Sequence, residues 1–133
     1  MKKYEAEMGW TEQSKEKPSF VLQIKERVLN FLSNRDQNIA IEDRYELESC
    51  KTLEYESVAE WILHNKKDQY DGALLVRIRN KKDVNFPIIV SIMFLNNNKV
   101  CLGKENIKKI VHCTYISEEL DNMFDGEDSL ILK

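Results

Sequence analysis

The sequence predicts an α+β domain in which an antiparallel sheet of four or more strands carries two main helices on one face. Three observations predict it. From Ala73 to Leu102 the chain reads as three successive strands, rich in β-branched and aromatic residues and punctuated by turn formers. Two other segments, opening near Pro18 and near Ser57, repeat their apolar residues at helical spacing. The 133 residues, 42% hydrophobic and 32% charged, suit one globular domain spanning 1–133. A chain of this size buries about two-thirds of its unfolded surface and needs no staples.

At the N-terminal end Tyr4, Ala6, Met8 and Trp10 alternate with polar residues and Gly9, a period of two that predicts a half-buried strand. Gln13 to Lys17 is polar and predicts a loop. Val21, Ile24, Val28, Phe31 and Leu32 then share one helical face, with Ser19 as N-cap and an end near Ser33-Asn34. Ile39 to Ile41 and Tyr45 to Leu47 predict a strand or ragged hairpin within 38–48. Ser57-Val-Ala-Glu60 has the capping-box pattern, in which each side chain bonds the other's backbone N–H. It predicts a second helix from about Val58 to Lys67, its lysines at the C-terminus where the dipole favours them.

Asp71-Gly72, Asn80 to Asp83 and Asn96 to Asn98 bound the strands Ala73–Arg79 and Phe86–Leu95. Pro87 lacks a backbone donor and therefore marks a strand start, an edge or a bulge. Residues 105–116 fit either a helix or a strand; the favoured reading is a helical turn at 105–109 and then a strand. Ser117-Glu-Glu119 predicts an N-cap with acids in the first turn, opening a short helix through Phe124 that Asp125-Gly126 ends. Leu130 to Leu132 predict a last short strand.

The net charge of −3 conceals a segregation. Asp36, Glu42, Asp43, Glu46, Glu48, Glu54, Glu56 and Glu60 crowd a segment that holds only Arg44 and Lys51 as bases. The central part to Ser117 is basic, and six acids against Lys133 follow it. Neither sign dominates, so no general affinity for nucleic acid is indicated. The plain reading is that each segment has a solvated face. The sharper one is that the acidic pieces converge on one surface that meets a basic partner.

The residues offer little equipment for catalysis. His112-Cys113 is the one close pair of soft ligands, and adjacent strand residues point to opposite faces, which disfavours chelation of a metal. Cys101 and Cys113 are candidates to meet across the sheet as buried thiols. His64 reads as a rim residue of the second helix, and His112 as a hydrogen-bonded structural residue in an apolar strand. Glu-x-Lys, the pairing a metal-dependent restriction-type nuclease wants, occurs nowhere. Four isolated glycines make no phosphate cradle. Arg77 and Arg79 lie opposite Leu74, Val76 and Ile78, and the pattern reads as the solvated face of an antiparallel sheet.

Elimination therefore favours a binding protein. The expectation is a cytoplasmic inhibitor of the immunity or antitoxin type, whose acids cover the basic active-site groove of a nuclease-like toxin. Glu46, Glu48, Glu54, Glu56, Asp43 and the aromatic Tyr55 framed by acids are the candidate partner-binding residues. No catalytic residue, metal or cofactor is expected. The partner is a protein, with a basic toxin or nuclease domain the leading candidate; nucleic acid and membrane are not expected, and a homodimer is compatible with the sequence. A phage-type inhibitor of a host defence enzyme would present the same pattern. An alternative from another class is a small enzyme or small-ligand-binding domain with a pocket near His112. No run approaches the ~20 apolar residues of a membrane span. Met1-Lys2-Lys3 leads into Tyr4-Glu-Ala-Glu7 rather than an apolar stretch, so no secretory signal is expected and the three cysteines are expected reduced. Abundant Lys, Asn and Ile suggest an AT-rich coding sequence of bacterial or phage origin.

Overall fold

The apolar stretch does build a sheet, and it fills the middle of the molecule. The structure, a computed structural model, describes residues 13–14, 21–34 and 45–133. Along the chain run β1 (Gln13–Ser14), α1 (Val21–Asn34), β2 (Tyr45–Leu53), α2 (Tyr55–Asn65), β3 (Gly72–Arg79), β4 (Ile88–Asn96), β5 (Lys99–Val100), β6 (Lys108–Ile116), α3 (Glu118–Phe124) and β7 (Ser129–Leu132). The strand expected at residues 3–10, the cap at Ser19, the first part of the 38–48 segment and Asp43 lie outside the described residues.

The sheet order is β1-β7-β3-β4-β6-β2, with the short β5 paired to β4. It is mixed rather than purely antiparallel, which corrects the expectation from sequence. All its other pairings are antiparallel, but β2 runs parallel to β6, with Tyr45 opposite Lys108 and Leu53 opposite Ile116. Parallel neighbours need a long crossover. Here the chain from α2 through β5 separates the two strands.

Helices also cover both faces, a second correction. On one face, Ile24 and Val28 of α1 pack with Leu74, Val76, Ile78, Ile89, Met93 and Ile110. On the other, Val58, Ala59 and Ile62 of α2 and Leu120 and Phe124 of α3 pack with Ala73, Leu75, Val90, Ile92, Phe94 and Val111. The reason lies in the strands. From Gly72 to Ile78 and from Ile89 to Leu95 every residue is buried, so neither face of the central strands tolerates water.

Local signals explain most boundaries. Asn97 and Asn98 both have positive φ, and between Asn96 and Lys99 they form a two-residue hairpin loop of the kind asparagine accepts. Pro87 stands immediately before β4, where its missing N–H costs no ladder bond. Gly72 is required by close approach, since a Cβ there would lie 2.7 Å from the Leu132 carbonyl oxygen. Ser117 caps α3 by accepting a bond from the Leu120 N–H, and Asp125 ends that helix in the left-handed region. The 105–116 segment has no helix; Gly103 turns the chain at positive φ and β6 begins at Lys108. The polar Gln13–Ser14 pair, read as loop, forms β1 against β7.

Helix α2 departs from its reading. It begins at Tyr55, not Val58, and its N-cap is Glu54, which makes no side-chain cap bond. Ser57 lies inside the first turn, so the expected capping box is not the cap. Burial decides the start: Tyr55, Val58, Ala59 and Ile62 form one i, i+3, i+4, i+7 face, and the first turn winds to bring Tyr55 into the core.

Candidate partner-binding surface

Strand β2 is an edge strand that pairs only with β6 among the described residues, and Glu46 to Ser49 are exposed. The carboxylates on it are engaged within the fold. Glu46 accepts a 2.8 Å hydrogen bond from the Trp61 indole N–H. Glu48 ion-pairs at 2.9 Å with Lys109, whose side chain is only 14% exposed. Both acids face the α2 side of the sheet and tie the edge strand to its neighbours. At the start of β2, the buried Lys108 ammonium donates to the carbonyls of Gly103 (2.7 Å) and Asn106 (2.8 Å) and stands 5.4 Å from the centre of the Tyr45 ring.

Tyr55, read from sequence as an interface residue, is 2% exposed and belongs to the core. Its flanking acids Glu54 and Glu56 are exposed at the start of α2. The parallel pairing gives them company. Strands β2 and β6 finish together, with Leu53 opposite Ile116, and the Ser117 N–H donates to the Leu53 carbonyl at 2.9 Å. Each strand then enters a helix within two residues. The acids opening α2 (Glu54, Glu56) therefore stand at the same end of the sheet as those opening α3 (Glu118, Glu119), all four exposed.

Sequence reading missed the aromatic at this end. Tyr115, opposite Thr52, is 57% exposed. Its alternation with the buried Val111 and Cys113 predicts burial, and only its place near the strand end leaves it open. Each segment carries its own signal, since both Leu53-Glu54-Tyr55-Glu56 and Ile116-Ser117-Glu118-Glu119 pass directly from strand to acidic helix start, but neither pattern specifies that the two meet.

The surface has a boundary. Arg77 is 3% exposed, against its reading as a solvated strand residue. Its Nη1 donates to Asp121 and its Nη2 to the Glu127 carbonyl, both at 2.7 Å. Its guanidinium lies 4.6 Å from the centre of the Phe124 ring, and its Nε is 3.7 Å from Asp128. Asp128 also accepts a 2.9 Å bond from Lys25. Asp121 and Asp128 are thus neutralised by internal cations. Lys81 and Lys82, exposed in the β3–β4 turn, stand at the same sheet end, so the acids form a patch beside β2 and β6 and not a uniformly negative end.

The other singled-out residues do not converge. His64 is exposed on α2, and half-buried His112 lies between Ser49 and Ile89 in register. A cavity of about 490 Å³ between α1 and the β4–β5 hairpin and one of about 430 Å³ near Tyr45, Glu46 and Glu105 do not include His112. Cys113 stands opposite Cys50, not Cys101. Burial and, less, neighbouring Cys50 push the Cys113 thiol up to about 12. The Cys50 thiol is raised by burial and by Glu48, against the opposing effect of Lys109. Among the described residues no group of three or more His, Cys, Asp or Glu is placed to hold a metal ion, and no helix is long and apolar enough to cross a membrane. No protein-family model, curated protein or solved structure matches the chain.

Proposed function

We propose that the protein is a binding inhibitor of the immunity or antitoxin type, which covers the basic active-site groove of a nuclease-like toxin with the acidic end formed by the starts of α2 and α3. The observation that carries this reading is the convergence of Glu54 and Glu56 with Glu118 and Glu119, from acidic segments far apart in sequence, through the parallel β2–β6 pair. Exposed Tyr115 supplies the aromatic anchor beside them, in the place first given to Tyr55. Exposed carboxylates steer a basic partner from a distance, so they act on association more than on dissociation.

The test is capture of the partner from source cells, its identification, and binding kinetics for purified components at two salt concentrations. Glu54→Lys/Glu56→Lys and Glu118→Lys/Glu119→Lys should each slow association and flatten its salt dependence, while Tyr115→Ala should mainly speed dissociation. Wild-type kinetics in both charge reversals, with circular dichroism showing intact folds, would remove the reading.

A further inference from the structure

Cys50 and Cys113 are register partners in the parallel β2–β6 pair, and both side chains join the core on the α2 face. Neighbouring strands lie about 4.8 Å apart, within the Cα separation of roughly 4.4–6.8 Å that a disulfide spans. Cys113 is wholly buried, and its thiol leans toward the Ile88 carbonyl of β4 at 3.7 Å. Cys50 is half-buried on the edge strand. Among the described residues β2 pairs with β6 alone. Cys101 follows β5 and is in register with neither thiol.

We infer that Cys50 and Cys113 are a dithiol pair that a small-molecule disulfide converts to an internal disulfide, stapling the edge strand to β6. This rests on the register alone and not on the inhibitor reading. The Cys50 thiolate attacks one sulfur of the oxidant, forming a mixed disulfide and releasing one thiolate, which takes up a proton. Cys113 then loses its proton to solvent, swings from Ile88 and attacks the Cys50 sulfur, expelling the second thiol. The protein gives up two electrons and two protons, and the oxidant becomes two thiols. Both steps need thiolate, which burial keeps scarce, so the reaction is slow at neutral pH and accelerates as pH rises.

The test incubates the folded chain with oxidised glutathione over a range of pH, traps free thiols by alkylation and maps the products by mass spectrometry. The expected product lacks two hydrogens, links the Cys50 and Cys113 peptides, leaves Cys101 alkylated and is reversed by dithiothreitol. Cys101→Ser should leave the link intact and Cys50→Ser should abolish it. In the Cys101→Ser variant the oxidised form should unfold at higher urea concentration than the reduced form, whereas in strong denaturant the wild-type thiols should favour the Cys101–Cys113 pair, which closes the shortest loop. A stable glutathione adduct on Cys50, a link through Cys101, a link between chains, or no reaction at a strongly oxidising glutathione ratio would each overturn the inference.

Discussion

Arg77 shows how one side chain changes meaning with its surroundings. Strand alternation places it on the face opposite Leu74, Val76 and Ile78, and the structure keeps it there. That face is covered by α3, so the guanidinium stacks on Phe124 and ties β3 to the α3–β7 segment. Arg77→Ala removes two charge-assisted bonds and a cation–π contact and should cost about 2–4 kcal/mol in urea unfolding. Arg77→Lys should recover little, because an ammonium lacks the planar fork. The hydrogen bond from Lys25, with further pull from the charges of Lys25, Arg77 and Arg79, holds the Asp128 carboxyl below its usual range against the opposing effect of burial. A carboxyl so depressed adds stability that is fully present above its unfolded pKa of about 3.9 and is lost as pH falls through the lower folded value. Asp128→Asn should therefore lower stability at neutral pH and weaken its dependence on pH below ~4, read as the urea midpoint across an acid titration.

At the scale of elements, α2 and α3 start by different means. Ser117 is a working cap for α3, whereas α2 begins on Glu54 without a side-chain bond and is held by Tyr55, Val58 and Ile62. Ser117→Ala should cost about 1 kcal/mol. Ser57→Ala, at the position of the expected capping box, should change stability by less than about 0.5 kcal/mol, since it removes no cap and alanine favours helix. Equal losses in the two variants would mean that Ser57 caps α2 after all. The capping-box pattern was legible but misplaced the start by three residues, because a buried tyrosine outweighs a cap bond of that size.

For the whole molecule, the consequence of helices on both faces is a sheet with two cores. Ile89 packs on the α1 side and Ile92 on the α2 side, each 1% exposed. Alanine at either should cost about 2–5 kcal/mol, by lost transfer energy and a cavity, and Ile88→Ala at the half-buried strand start should cost less. A small loss at Ile89 alone would mean that α1 does not seal its face. The apolar runs Ala73–Val76 and Ile92–Leu95 already carried this information, since a strand wetted on one side alternates; the alternation of Arg77 and Arg79 at the end of β3 pointed the other way.

The residues by themselves determined the elements whose signals are local: α1 from its apolar period, the β4–β5 turn from its asparagines, the start of β4 from Pro87, α3 from Ser117 and Asp125-Gly126. The central strands followed from their β-branched runs for the same reason, since burial and backbone preference act within a few residues. Only the tertiary structure decided the parallel seating of β2 beside β6, and with it the meeting of Glu54 and Glu56 with Glu118 and Glu119 and of Cys50 with Cys113. Strand pairing joins residues more than sixty positions apart, and it depends on the partner strand as much as on the segment itself. The acids were legible one by one; their company was not, because adjacency between separate strands is a property of the sheet and not of either segment.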